Sequence, residues 1–188
     1  MLTQHQNRLL ALLDDYRARW PAEEITIERF QRFVSSEPRC FDRHCEFGHI
    51  TGSAWLLDNL GQRVLLTHHR KLNRWLQLGG HADEAPDARL TALREAEEES
   101  GLSDIQLLDT AIFDLDVHPI PARGDMPEHF HFDVRFALQA CGSQDYVVSA
   151  ESHDLAWVAV DSLTGPDTDE SLRRMAQKWI RRQPDPAL

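Results

Sequence analysis

The strongest constraint on this chain is a glycine pair followed by a helix that crowds carboxylates on one side. The pair at 79–80 precedes a segment, 87–100, whose pattern predicts a helix. Within it, Glu95, Glu98 and Glu99 are spaced i, i+3 and i+4, so they fall on one helical face. Like charges this close repel one another, and the arrangement costs stability unless a cation lies among them.

The same segment predicts how the helix packs and which ion suits it. Leu90, Leu93 and Ala96 fall on the opposite face, which we expect to pack on the core. Carboxylates are hard oxygen ligands, the kind that Mg²⁺ and Mn²⁺ prefer. Glycine lets the preceding loop approach an ion or a phosphate closely. The alternative is a solvated acidic helix without a ligand, and the flanking glycines argue against it.

Composition narrows the class of protein. The chain has 188 residues, of which 41% are hydrophobic and 27% charged, as is typical of one globular domain. A formal net charge of −11 argues against non-specific binding to nucleic acid or to an anionic membrane surface. It does not exclude a phosphorylated substrate, because a bound divalent cation reverses the local sign of charge.

The apolar pattern predicts no membrane partner. Apolar runs stay short of the ~20 residues that span a bilayer, and residues 1–20 carry charges where a signal peptide would be apolar. Cys40, Cys45 and Cys141 are sparse and odd in number, which suits a reducing compartment. We therefore expect a cytoplasmic protein.

Two amphipathic helices are predicted within residues 3–35, on either side of Pro21. We expect residues 1–36 to form a helical cap packed on a second unit, residues 37–188. The alternative is a hairpin that pairs two copies, so a homodimer stays open. A loop at 36–49 then carries four metal-ligating side chains, namely Cys40, His44, Cys45 and His49. Their spacing is not that of paired zinc clips, which favours incidental thiols over a zinc site.

Strands are predicted at 50–57 and 63–68, with turn residues between them, so we expect a hairpin. A compact basic patch follows directly, made of His68, His69, Arg70 and Lys71. One interpretation of this patch is a solvated turn. The other is a phosphate contact, because the chain continues from the patch into the glycine pair. Beyond the acidic helix we expect strands at 105–109 and 155–160 and an amphipathic helix at 169–180.

The clearest strands are 112–118 and 129–136, where polar and apolar residues alternate. If the two strands pair, one sheet face carries Asp114, Asp116, His118, His129, His131 and Asp133. Solvated faces more often carry Lys, Glu and Thr than clustered His and Asp. Our hypothesis is that this face lines a substrate cleft, with a second metal as the weaker alternative and a solvated face as the third.

The stretch from Gly80 to Leu102 resembles the box of the Nudix hydrolases. That box is a glycine, five residues, a glutamate, seven residues and then R-E-U-x-E-E-x-G-U, with U apolar. The matching residues are Gly80, Arg94, Glu95, Ala96, Glu98, Glu99, Gly101 and Leu102. Two positions depart from the family: Pro86 stands where the first glutamate belongs, and Leu78 where many members have proline.

The resemblance implies an α/β fold of the α+β kind, an α/β/α sandwich around a mixed sheet with an N-terminal helical extension. It also implies hydrolysis of a diphosphate bond in a nucleoside diphosphate joined to another group, with Mg²⁺ or Mn²⁺ as cofactor. Metal ligands would be Glu95, Glu98, Glu99, Gly79 and Gly80, and catalytic candidates Glu98, Glu95, Arg94 and, outside the box, Glu151. Weaker candidates for substrate contact are His68, His69, Arg70, His81, His129 and His131.

Two other functions stay open at this point. A binding or regulatory module of the same fold would lack turnover, although it has no need of three crowded carboxylates. A diphosphate isomerase would keep the fold and change the chemistry, but no feature of the sequence points to one.

Overall fold

The computed structural model describes residues 1–82, 87–122, 124, 126–150 and 152–182. The α-helices within these ranges are α1 (Gln4–Arg19), α2 (Glu24–Ser36), α3 (Ala88–Ser100) and α4 (Glu170–Arg181). The strands are β1 (Gly48–Leu57), β2 (Arg63–His69), β3 (Arg74–Leu76), β4 (Leu78–His81), β5 (Ile105–Leu107), β6 (Asp114–Ile120), β7 (His129–Ala140) and β8 (Ser152–Ala159).

These strands form a mixed sheet whose central pair is parallel. The order is β3-β2-β1-β7-β5, while β4 pairs with β1, β6 with β7 and β8 with β2. β1 and β7 run parallel from Gly48 opposite Phe130 to Leu57 opposite Gln139. Helices cover both faces, which confirms the expected α/β/α sandwich with an N-terminal helical region. The predicted pairings of β1 with β2 and of β6 with β7 are also confirmed.

Alternation along β1 divides the interior into two cores. Ile50, Ala54 and Leu56 belong to the core that contains buried residues of α1, α2 and α3. Trp55 and Leu57 belong to the second core, which is covered by α4. Successive strand residues point to opposite faces, so His49, Thr51 and Ser53 share the α4 side of the sheet beyond the end of its apolar core.

The N-terminal helices pack on the first core. Leu13 and Tyr16 of α1 and Phe30 of α2 are fully buried. Phe33 stacks on Phe132 of β7 at 3.9 Å between ring centroids. The stripes of both helices therefore bury against the sheet, as expected of a cap, while the division of the chain at residue 36 and the homodimer stay predictions.

The buried face of helix α3 differs from the one that the sequence pattern predicted. Leu90 is 54% exposed, so its assignment to the buried face is wrong. The buried apolar side chains of α3 are the small ones, Ala88, Ala92 and Ala96. The physical reason lies in Gly52 of β1, where a Cβ would sit 2.8 Å from the Thr91 Cβ. Small residues on both sides let helix and strand approach too closely for leucine.

The cysteines are free thiols, with Cys40 and Cys45 buried and Cys141 exposed. Burial raises the pKa of the Cys40 thiol to about 12. Among the described residues, the grouping of metal-ligating side chains contains no cysteine. The helices in these ranges are too short or too polar to cross a membrane.

Gly52→Ala should destabilise the protein by about 1–3 kcal/mol, because the added methyl overpacks the contact between β1 and α3. Urea unfolding followed by circular dichroism measures the change. Gly165→Ala is the matched control, since nothing lies within 4 Å of a Cβ built there. Equal unfolding free energies for the two variants would contradict the close approach.

Candidate active site

The acidic helix meets the sheet at the glycine pair of β4. Asp87 caps α3 by accepting a hydrogen bond from the backbone N–H of Arg89, which satisfies a donor in the first turn of the helix. The backbone N–H of Gly79 donates to Oε1 of Glu99 at 2.9 Å. A Cβ at Gly80 would lie 2.7 Å from Oε2 of Glu95. A side chain at position 80 would therefore displace the Glu95 carboxylate from its place against the strand.

Arg94 holds this cluster together. Its guanidinium pairs with Glu95 at 2.8 Å and with Glu98 at 2.9 Å. It also donates to the backbone carbonyl of His81 at 2.9 Å. Burial opposes the charged form, yet the two carboxylates raise the pKa of Arg94. A cation thus offsets part of the repulsion that the helix sequence implies.

The three carboxylates differ in exposure. The side chain of Glu95 is 15% exposed and that of Glu98 60%, whereas Glu99 is 8% exposed and buried. All three lie within about one turn of α3, with Glu99 at the backbone of Gly79 and Glu95 at that of Gly80. Carboxylates are hard oxygen donors of the kind that Mg²⁺ and Mn²⁺ prefer. Among the described residues, however, these three do not form a group whose oxygens all lie within 4.8 Å of one another.

A second polar surface lies on the α4 side of the sheet, where β1 and β7 run side by side. Thr51 of β1 is opposite Asp133 of β7, and Ser53 is opposite Arg135. Oδ1 of Asp133 accepts hydrogen bonds from the Thr51 hydroxyl at 2.9 Å and the Ser53 hydroxyl at 2.7 Å. Its Oδ2 accepts from Nε of Arg135 at 2.7 Å and from the amide of Gln77 at 3.2 Å. Asp133 therefore has its acceptors filled and serves as a structural anchor of this surface.

Five imidazoles gather at one end of the same surface, which we call the histidine cluster. They are His49, His81, His118, His129 and His131. The His49 ring centroid lies 5.0 Å from that of His81, 5.1 Å from His129 and 4.7 Å from His131. His118 lies 5.5 Å from His131. Burial and the neighbouring imidazoles lower the pKa of His131 to about 2, so this ring is neutral at pH 7.

The sequence pattern predicted only part of this cluster. His118, His129 and His131 were expected on one face, and the register of β6 and β7 confirms it. His49 was assigned to the cysteine loop, which is wrong, because it lies in β1 opposite His131. Polar residues at every second position, His49, Thr51 and Ser53, are the signal that extends the strand to include it.

Asp114 does not belong to an open cleft. It is fully buried and pairs with Arg135 at 3.0 Å, Arg174 at 2.8 Å and Lys178 at 2.6 Å. Burial penalises its charge, but these cations hold the pKa of Asp114 below its usual range. Its predicted place on the cleft face is wrong, because α4 covers this end of β6. Asp114 instead ties α4 to the sheet.

The basic patch lies at another corner of the sheet. His68 stacks on Trp75 with 5.2 Å between ring centroids and lies 5.3 Å from His153. Arg70 donates to the backbone carbonyl of Ser152 at 3.0 Å. The described contacts of His68 and Arg70 thus run to β3 and β8, and a phosphate role for them and for His69 stays a prediction. Glu151, like Pro86, lies outside the described residues.

Comparison with protein families now identifies the chain. Residues 49–180 match the NUDIX domain model, which covers the sheet, the acidic helix and α4. The chain therefore belongs to the Nudix family, and it is a Nudix-type pyrophosphohydrolase. A search of curated proteins finds no match.

Solved structures support the fold. An Ap4A hydrolase from C. elegans is 15% identical with a TM-score of 0.55, over 70% of this chain and 94% of that one. A MutT protein from Methanosarcina mazei Go1 is 16% identical with a TM-score of 0.54, over 75% and 99%. The dihydroneopterin triphosphate pyrophosphohydrolase of E. coli is 15% identical with a TM-score of 0.52, over 69% and 92%. At these identities the likeness concerns the fold.

Asp133→Asn should destabilise the protein by on the order of 3 kcal/mol, because the buried Arg135 loses a charged partner at 2.7 Å. Thermal and urea unfolding measure the change. Asp167→Asn, at an exposed position, should shift stability by less than about 0.5 kcal/mol. A stable Asp133→Asn protein would show that Asp133 does not anchor the polar surface.

Proposed function

We propose that this chain hydrolyses the diphosphate bond of a nucleoside diphosphate joined to another group, by attack of water on phosphorus. The observation that carries the proposal is the carboxylate cluster of Glu95, Glu98 and Glu99. Glu99 and Glu95 lie at the glycine pair of β4, and Arg94 pairs with Glu95 and Glu98. A module that only binds its ligand has no need for three mutually repelling carboxylates in one place.

Glu95, Glu98 and Glu99, with the backbone of Gly79 and Gly80, would hold Mg²⁺ or Mn²⁺. Bound there, the ion would neutralise charge on the phosphate oxygens. Arg94 orients Glu95 and Glu98 by charge-assisted hydrogen bonds. A carboxylate of the cluster, with Glu98 the most exposed, takes the proton of the attacking water. Glu151 stays the candidate for this step outside the box.

The histidine cluster and the residues around Asp133 lie on the α4 face of the sheet, whereas the carboxylates lie at the β4 edge on the α3 face. The cleft would therefore pass around the β4 edge, with the histidine cluster lining its far end. His81 connects the two, because it follows Gly80 directly and its ring lies 5.0 Å from that of His49. A small nucleotide-type substrate would place its diphosphate at the carboxylates and its remainder along the polar surface. The names of the matched structures, an Ap4A hydrolase and a dihydroneopterin triphosphate pyrophosphohydrolase, support a phosphoanhydride substrate of this general kind.

Glu98→Gln and Glu99→Gln should each lower kcat by roughly 100-fold or more, because each removes charge from the proposed ion site. Turnover is measured with Mg²⁺ or Mn²⁺ on nucleotide sugars, dinucleoside polyphosphates, ADP-ribose, NADH, coenzyme A and nucleoside triphosphates. Glu97→Gln is the matched control, since this exposed glutamate lies on the same helix outside the acidic face. Tight binding of one compound without hydrolysis of any would indicate a binding module instead.

Replacing His129 and His131 by alanine should lower kcat/KM by about 10-fold or more, if their rings line the cleft and position substrate. Circular dichroism before the assay establishes that the variant is folded. His5→Ala, at an exposed position on α1, should leave kcat/KM unchanged. An unchanged kcat/KM in the double variant would show that the histidine cluster does not line the substrate cleft.

A further inference from the structure

Three members of the histidine cluster meet the geometric requirement for a metal centre. One ligand atom from each of His49, His129 and His131 lies within 4.8 Å of the other two. His49 is 1% exposed and His129 is 7% exposed, so these are interior side chains and not a solvated fringe. Among the residues that the structure describes, this is the grouping of metal-ligating side chains that satisfies such a spacing.

We propose that His49, His129 and His131 bind a divalent transition-metal ion of the Zn²⁺ type, at a site separate from the carboxylates of α3. The proposal concerns metal binding alone and does not depend on the hydrolytic reaction proposed above.

The two sites differ in ligand chemistry. Imidazole nitrogen suits Zn²⁺, Cu²⁺, Ni²⁺ and Fe²⁺, whereas carboxylate and carbonyl oxygens suit Mg²⁺ and Mn²⁺. Zinc bound by three protein side chains keeps a further position open for water or another ligand. The histidine site would therefore select a different ion from the acidic helix and present it on the polar surface.

Strand pairing sets the three imidazoles side by side. His49 and His131 are directly opposite in the parallel pair of β1 and β7. His129 precedes His131 by two residues and so points to the same face. Bonds of about 2.0–2.1 Å from zinc to nitrogen place tetrahedral ligand atoms about 3.3 Å apart. The observed ligand atoms, within 4.8 Å of one another, would therefore have to move closer together when the ion binds.

A hydrogen bond prepares His129 for coordination. Its Nδ1 lies 2.9 Å from the carbonyl oxygen of Pro127. A carbonyl only accepts, so Nδ1 carries the proton and Nε2 keeps its lone pair for an ion. Metal-ligating histidines commonly donate their other ring N–H to a backbone carbonyl or a carboxylate in this way.

The neighbouring histidines have other partners. Nη2 of Arg43 lies 3.1 Å from Nδ1 of His81, and the guanidinium can only donate, so this nitrogen accepts the bond. Nδ1 of His118 lies 3.0 Å from Oδ2 of Asp116, which fixes its orientation. We therefore place His81 and His118 beside the proposed metal site and not among its ligands, which are His49, His129 and His131.

The test uses the full chain carrying Glu95→Gln, Glu98→Gln and Glu99→Gln, which removes the carboxylate site and keeps the imidazoles. The protein is stripped with a chelator, titrated with Zn²⁺ and dialysed, and bound metal is measured by atomic emission. We expect about one equivalent per chain, together with a rise in Tm, because an ion that binds the folded state stabilises it. Co²⁺ in place of Zn²⁺ should give a visible absorption band typical of a four-coordinate ion.

Adding His129→Gln or His131→Gln to this background should abolish the bound equivalent, the Tm shift and the cobalt band. Adding His5→Gln, at an exposed position on α1, should leave all three unchanged. If the triple glutamine protein does not fold, the titration is repeated on the wild-type chain in excess Mg²⁺, with the same expectations. Absence of bound zinc in the folded protein, or zinc retained in both histidine variants, would overturn the proposal.

Discussion

The parallel pairing of β1 with β7 is the interaction on which the rest of this structure depends. It joins residues about eighty positions apart, so it places His49 beside His131, Thr51 beside Asp133 and Ser53 beside Arg135. The same register sends the intervening residues, such as Ile50 and Phe132, into the core under the N-terminal helices. A shift of one residue in one strand would exchange its polar and apolar faces. Core and polar surface are thus two consequences of one register.

The acidic helix depends on a second constraint, close approach. Gly52 of β1 and the alanines of α3 let the helix lie near the sheet, and Gly80 leaves space for the Glu95 carboxylate. This contact determines where the charges of the helix point. Arg94 offsets part of their repulsion by pairing with two of them. The acidic helix therefore packs through small side chains, and the carboxylates of Glu95 and Glu99 lie at β4.

Carboxylates and imidazoles then form two chemically distinct neighbourhoods, joined through His81. On the α3 side, hard oxygen donors face an arginine that lowers their mutual repulsion. On the α4 side, burial favours neutral imidazoles, as the lowered pKa of His131 indicates. The carboxylates of Asp133 and Asp114 belong to neither group of possible metal ligands. Asp133 accepts hydrogen bonds from the hydroxyls of Thr51 and Ser53, and Asp114 is paired with the buried Arg135. One sheet thus separates hard from softer ligands.

The sequence by itself indicated the helices, six of the eight described strands and the acidic box, but not the short strands β3 and β4. Period-two alternation predicted β6 and β7, and the residue pattern of 87–100 predicted α3. These patterns are local, so each element can be predicted from its own segment of the sequence. Only the tertiary structure decided which side chains meet. It exposed Leu90, buried Asp114 under α4 and brought His49 to His131, because such contacts depend on register and approach distance between segments far apart in the chain.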